Sequence, residues 1–395
     1  MKKKLLSMGL FLIIIVSLSG CSIAGNYDRD GKKSFVNGEF EEAAASFVAA
    51  IGENPNRADY YIDYGMALIA LNKPEEALAQ FELAYMDKDI LMVKENNKRV
   101  FRGRGIVYYQ MLQYEKAIKE FNRALEINEL SELDLDILYY IGNSMMMIGS
   151  YKEAINSYTS ILEIDKKNVI AYSNRALCYK SIGDYDNSLK DYDMAISQQP
   201  KNYDAYFGKY YLLEDNSYGA DAAEVLALAS KIEVKTSEDR YNQAKIYYYQ
   251  GDYESALSEL SEGFANGFTE AYYYIGEIFR IKKDYPTAVF YYETFIKEGE
   301  ILTPTVYNQI ASCLIKSGDY KNAIQYLEQG IAYNHSGTMQ VLLKNQIIVY
   351  ESMGMFDKAK DKIAEYITRY TEDVEALREE KFIDTRLIDV GTEEE

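Results

Sequence analysis

The side chains able to do chemistry are few: three cysteines and one histidine, beside 39 tyrosines that are better suited to recognition. A lone histidine and no CxxC or CxxxH spacing leave too few soft ligands for a zinc or iron–sulfur site, so no metal and no cofactor is expected. His335 falls in the loop after a helical pattern, with no serine or cysteine motif around it, and reads as a surface residue. There is no GxSxG, no P-loop and no HExxH. The acid pairs Glu41–Glu42 and Glu75–Glu76 sit on helical patterns as solvated faces. The chain is expected to bind and not to catalyse.

Cys21 is a different case. Lys2, Lys3 and Lys4 precede an apolar run over 5–18, which is shorter than the roughly 20 residues a bilayer span needs and fits a signal-peptide core. The run ends in Leu18-Ser19-Gly20-Cys21, which resembles the bacterial lipobox. That resemblance implies removal of residues 1–20, a diacylglyceryl group on the Cys21 thiol, and a short tether over 21–26. Two or three acyl chains, at about 0.8 kcal/mol per buried methylene, anchor stably where one does not. The expected location is the extracytoplasmic face of the cell membrane. In a cell with two membranes, Ser22 after the cysteine favours the outer one. No later stretch reaches 18 uninterrupted apolar residues.

The formal charge of −19 becomes −22 once the three leader lysines are gone. Such a body repels phosphate backbones, so no nucleic-acid partner is expected unless a local basic patch hides in the total. An apolar content of 48% with 14% aromatics argues against disorder.

What positions the candidate residues is a repeat. A small residue is followed seven later by a turn residue, two further by an aromatic, then by alanine and a large apolar residue. Gly142, Gly149, Tyr151, Ala154 and Tyr158 show it well. The aromatic slot falls at 40, 74, 114, 151, 185, 219, 253, 285, 320 and 356. Ten copies near period 34 resemble the tetratricopeptide repeat (TPR). The resemblance implies an all-α solenoid of about ten helix-turn-helix repeats over 27–372, wound as a right-handed superhelix. A capping helix and an acidic tail follow over 373–395. The copy around Tyr210 and Gly219 is degenerate and either bends the stack or divides it near 215–240. Residues 92–97 lengthen one copy, as a longer loop or an extended helix.

Local signals support the hairpins. Gly149, Gly183, Gly251 and Gly318 suit left-handed helix ends. Ser150 to Glu153 reads as a capping box, while Asp184, Asp252 and Asp319 can cap alone. Cys178 and Cys313 occupy the same slot four repeats apart, too far for a disulfide, and are expected as two free, largely buried thiols.

In TPR proteins the first helices line a concave groove that holds peptides or partner helices. Projected onto this chain, the groove residues are Tyr109, Tyr139, Asn143, Met146, Asn174, Tyr211, Tyr241, Lys245, Tyr248, Tyr273 and Glu277. Asparagine amides can both donate to and accept from a peptide backbone, and tyrosines give contact area at low entropic cost. Chaperone-binding TPR domains grip a carboxylate with a lysine–asparagine–asparagine–lysine–arginine set. Asn143 and Asn174 match its asparagines, but Tyr139, Asp204 and Gly208 stand at the cationic slots, so no such clamp is expected. The leading expectation is a scaffold or adaptor whose partners are envelope proteins or peptides, with the bilayer reached through the acyl anchor. The alternatives are a receptor for a glycan or cell-wall fragment, or a regulator that positions a wall hydrolase or protease.

Overall fold

The computed structural model describes residues 22–265, 267–299, 304–333 and 336–391. Cys21 and the leader, and His335, lie outside the described residues. The described residues form ten helical hairpins and a final helix, with no strand among them. The pairs run α1 (Ile23–Asn37) with α2 (Phe40–Glu53), α3 (Ala58–Ala70) with α4 (Pro74–Ala84), and α5 (Leu91–Gln110) with α6 (Tyr114–Leu125). Next come α7 (Asp134–Met147) with α8 (Tyr151–Ile164), α9 (Val169–Ser181) with α10 (Tyr185–Gln198), and α11 (Tyr203–Asp215) with α12 (Gly219–Ala229). The series continues with α13 (Ser237–Tyr249) and α14 (Tyr253–Ala265), then α15 (Glu270–Ile281) and α16 (Tyr285–Glu298). It ends with α17 (Pro304–Lys316) and α18 (Tyr320–Ala332), α19 (Ser336–Ser352) and α20 (Phe356–Arg369), and the capping helix α21 (Val374–Gly391). No described helix is long and apolar enough to cross a membrane.

One residue sets each turn. The slot holding Gly149 is left-handed in all ten hairpins, from φ 56° at Asn72 to φ 81° at Gly38. Gly149 N–H then reaches Met146 O at 3.0 Å and Ser150 N–H reaches Met145 O at 2.8 Å, which satisfies the last carbonyls of α7. Asn72, Leu112, Ser217 and Lys283 adopt the same conformation with a Cβ present. For such side chains it costs about 1–2 kcal/mol.

In seven of the ten hairpins a small residue of the first helix meets a large apolar residue of the second. A Cβ added to Gly31, Gly65, Gly105, Gly142 or Gly276 would come within 2.5–2.8 Å of the ring of Phe47, Phe81, Phe121, Tyr158 or Tyr292 respectively. Where the first helix carries Ala244 or Ala311 instead, the partner slot shrinks to Leu260 or Leu327, all of them buried. Glycine and ring, or alanine and leucine, fill the same volume, as close packing demands.

Two local expectations are resolved. Asp184, Asp252 and Asp319 do cap, accepting the N–H of Asn187, Ser255 and Asn322 at 3.3, 3.2 and 3.3 Å. Ser150 makes no side-chain cap, so the expected box is absent. Its ψ of 62° resembles that of the aspartates, and at this angle a hydroxyl, one bond shorter than a carboxylate, does not reach. A full capping box occurs instead at Thr236 and Asp239, where ψ is 164°. The extra residues 92–97 extend a helix: α5 has 20 residues, and Asn97 fixes its start by donating to Met86 O at 2.7 Å and accepting Met86 N–H at 3.3 Å. Cys178 and Cys313 are free and buried, and burial pushes their thiols up to about 12 and about 11.

By their internal contacts the helices form two compact units, one ending at Ala229 and the next beginning at Ser230. The first holds six hairpins; the second holds four and α21. Within the first unit, α1 packs on α3, α3 on α5, α5 on α7 and α9 on α11. In the second, α13 packs on α15 and α17 on α19. First helices thus form the inner layer of each unit, because no pair of second helices makes comparable contact among the described residues.

Candidate functional site

The candidate face is the set of first-helix positions projected from the sequence, and each unit fills it differently. In the first unit the centre is Tyr158, fully buried on α8. Its hydroxyl donates to Asn143 Oδ1 at 2.7 Å and contacts Met146 Sδ at 3.2 Å, and Asn174 hydrogen-bonds the same group. The Tyr139 ring lies edge-on to it at 6.5 Å, and the Tyr139 hydroxyl donates to Asn168 Oδ1. The structure therefore brings together Tyr139, Asn143, Met146 and Asn174, around the hydroxyl of a tyrosine that the sequence reading placed only in the packing pattern. Burial raises both tyrosines well above the usual phenol range, so they stay neutral donors.

The other two groove candidates of this unit make other ring contacts. Tyr109 is held edge-on by Tyr114 and Tyr140, with centroids 5.5 and 5.3 Å away. Tyr211 stands exposed, 5.4 Å from the Tyr210 ring. Gly208, one of the missing clamp cations, has a packing reason for being glycine: a Cβ there would sit 2.3 Å from the Tyr192 ring of the preceding hairpin.

Sequence reasoning missed a ladder of charges on α1, α3, α5 and α7. Asp63 has no solvent exposure and pairs with Lys32 at 3.3 Å and with Arg99. Lys98, also fully buried, binds Asp134 at 2.6 Å and donates to Ile127 O at 2.8 Å. Arg102 pairs with Asp136, whose carboxyl stays raised because burial outweighs the pull of Arg102. Buried charges persist only when paired in this way. The pairs bridge residues 31 to 36 apart in the chain, about one repeat, so a reading confined to single hairpins does not see them.

In the second unit the same face is aromatic. Tyr241 stacks on Phe268 at 5.4 Å, Lys245 Nζ lies 5.7 Å from the ring centres of both Tyr241 and Tyr274, and Tyr248 meets Tyr274 edge-on at 5.4 Å. These are favourable ring and cation geometries. Tyr273 packs on Tyr292 and Phe295, both 5.8 Å away, and its hydroxyl is pushed up to about 12 by burial. Glu277 is buried and accepts from the Tyr292 hydroxyl, from Gln309 Nε2 at 2.6 Å and from Arg280 Nη2 at 2.6 Å. Glu277 is to Tyr292 what Asn143 is to Tyr158, fifteen residues before it in both hairpins. Among the described residues no group of three or more histidine, cysteine or acidic side chains could hold a metal.

Family models described as tetratricopeptide repeat match residues 35–90, 99–131, 169–202, 241–300 and 304–334, together more than half of the chain. The chain is built of tetratricopeptide repeats. Among curated TPR-bearing relatives, the DnaJ homolog subfamily C member 7 homolog of Dictyostelium discoideum is 23% identical over 171 residues, 42% of this chain and 32% of that one. The small glutamine-rich tetratricopeptide repeat-containing protein 2 of Saccharomyces cerevisiae is 32% identical over 121 residues, 31% of this chain and 33% of that one. The match thus spans about a third of the length of each relative. A tetratricopeptide repeat protein of Parabacteroides merdae, known from a crystal structure, is similar with a TM-score of 0.46 and 21% identity, covering 62% of this chain and 93% of that one. Arrays of such repeats are in general scaffolds that bind other proteins or peptides.

Proposed function

We propose that this TPR protein is a lipid-anchored, extracytoplasmic scaffold that gathers envelope proteins on its first-helix faces. One observation carries the recognition half. In the second unit Tyr241, Lys245, Tyr248 and Tyr273 come from two adjacent first helices and remain half-buried while neighbouring rings hold them. Rings fixed in advance lose little entropy on binding, so their contact area converts efficiently into affinity. The anchoring half is supported by the leader and Leu18-Ser19-Gly20-Cys21. Confinement at a bilayer raises the effective concentration of partners that share it.

Crosslinking in native membranes followed by mass spectrometry tests the first half. The parent chain is expected to capture envelope proteins that a Tyr241→Ala, Lys245→Glu variant loses; capture of nothing by either ends the reading. Cys21→Ala is expected to leave the membrane fraction, and a variant that stays as firmly bound as the parent removes the lipid anchor. The tyrosine cluster also suits stacking on a sugar. Calorimetric binding of a soluble muropeptide, lost on Tyr139→Ala and Tyr273→Ala, would replace the scaffold with a glycan receptor.

A further inference from the structure

Elsewhere on the second unit a cavity of about 260 Å³ opens among the C-terminal ends of α15 and α17 and the start of α16. Arg280, Lys283 and Lys316 line it together with Tyr285 and Ser312, and no carboxylate is among its lining residues. Three cations meeting in a chain of formal charge −19 form the local basic patch that the total conceals. The acids nearest in sequence are already committed. Asp284 accepts Thr287 N–H at 3.3 Å, and Asp319 accepts Asn322 N–H at 3.3 Å and Asn322 Nδ2 at 2.7 Å. Neither Lys283 nor Lys316 makes an ion pair among the described residues.

The site is also organised. Glu277 grips Arg280 from behind, at 2.6 Å to Nη2 and 3.3 Å to Nε, and is itself held by Tyr292 and Gln309. Lys283 occupies the turn slot at φ 63°, a conformation that six of the ten hairpins give to glycine. Cys313 lines the cavity as a neutral thiol and adds no negative charge at neutral pH. Glu277 offsets the Arg280 charge and the carbonyl ends of α15 and α17 bring about half a negative charge each, so an excess of about one positive charge remains, carried by Lys283 and Lys316.

We propose that this cavity binds a phosphate group, with Lys283 and Lys316 neutralising it and Arg280, held by Glu277, joining the Tyr285 and Ser312 hydroxyls in completing its hydrogen bonds. Donors arriving from the ends of two helices, a turn and a second helix suit a tetrahedral oxyanion with three or four acceptor oxygens better than a carboxylate with two. The volume is below the usual range for a drug-sized ligand and ample for one phosphate. The site is separate from the Tyr241–Lys245 cluster and does not depend on the scaffold reading.

Calorimetry on the full chain tests it, titrating inorganic phosphate, dimethyl phosphate and acetate at constant ionic strength set with chloride. Saturable phosphate binding is expected, with acetate at least about tenfold weaker. Lys316→Gln and Lys283→Gly should each weaken phosphate about tenfold, as for loss of a charged hydrogen bond. Lys283→Gly should at the same time raise the unfolding midpoint by relieving the left-handed lysine, so its loss of affinity cannot come from misfolding. Lys235→Gln, which removes an exposed lysine paired with Glu233, should change nothing. A preference for the inorganic ion points to free phosphate or a monoester; equal affinity for dimethyl phosphate points to a diester such as a lipid headgroup. No saturable phosphate binding, binding unchanged in both lysine variants, or acetate binding as tightly as phosphate overturns the proposal.

Discussion

The two units build their first-helix faces from one repeat, and one stretch of each finishes its face in the opposite way to the other. From α1 to α7 the face is closed by ion pairs, Asp63 with Lys32 and Arg99, Lys98 with Asp134, and Arg102 with Asp136. Over α13 and α15 it is finished by rings around a lysine. Charges removed from water must be answered inside the protein, so the first surface is occupied by its own chain. Rings need only contact and keep part of their surface for something else. A repeat that fixes the backbone therefore leaves neighbouring stretches free to become stiffener or receptor.

The largest test of this contrast is Asp63→Ala, which strands Arg99 and Lys32. It should cost about 3–5 kcal/mol in urea unfolding. Tyr241→Ala, which loses a stacked ring and a cation contact of a half-buried side chain, should cost less, about 2 kcal/mol. If the tyrosine proves the more costly, the division between stiffener and receptor fails. Next, Gly105→Ala would drive a Cβ to 2.5 Å from Phe121. Overpacking of that kind should cost about 1–3 kcal/mol, read from the same unfolding curves. At the turns, Leu112→Gly should gain about 1 kcal/mol and Gly251→Ala should lose about as much, one substitution in each unit.

The smallest effect concerns pH and belongs to the second unit. Burial, and then the neighbouring Glu379 carboxyl, raise Glu351 from 4.5 to about 7. The folded form therefore holds a proton that the unfolded form releases earlier. Stability from this group is complete below about pH 4.5, declines as pH climbs to about 7 and is level above. Partial exposure keeps the slope shallow. Glu351→Gln should flatten it, seen as a smaller fall in melting temperature between about pH 5 and pH 8.

The hairpins were legible because packing leaves little choice at their slots. Gly142 must be small because Tyr158 passes over it, and Gly149 must tolerate a positive φ, so both show as a period in the sequence. The candidate face was legible only as a direction. Asn143 and Glu277 were projected onto it, yet their oxygens accept from Tyr158 and Tyr292 of their own hairpins' second helices. The signal was present: a tyrosine instead of a phenylalanine in the second-helix slot, with an acceptor fifteen residues earlier. Hairpins with Phe47, Phe81 and Phe121 carry Lys32, Met66 and Ile106 at that place. The ion-pair ladder was hidden because its partners sit one repeat apart, and Ser150 misled because a capping motif ignores ψ.

Gly103 and Gly208 bear on how such an array can be cut and rejoined. Each belongs to a first helix yet makes room for the ring of the hairpin before it, Phe81 and Tyr192 respectively. The matched set thus straddles the conventional border between repeats. A gene rearrangement that shuffled whole hairpins would separate a ring from its recess. One that shuffled each second helix with the first helix after it would carry that recess along, and would break the fit to the glycine of its own hairpin instead.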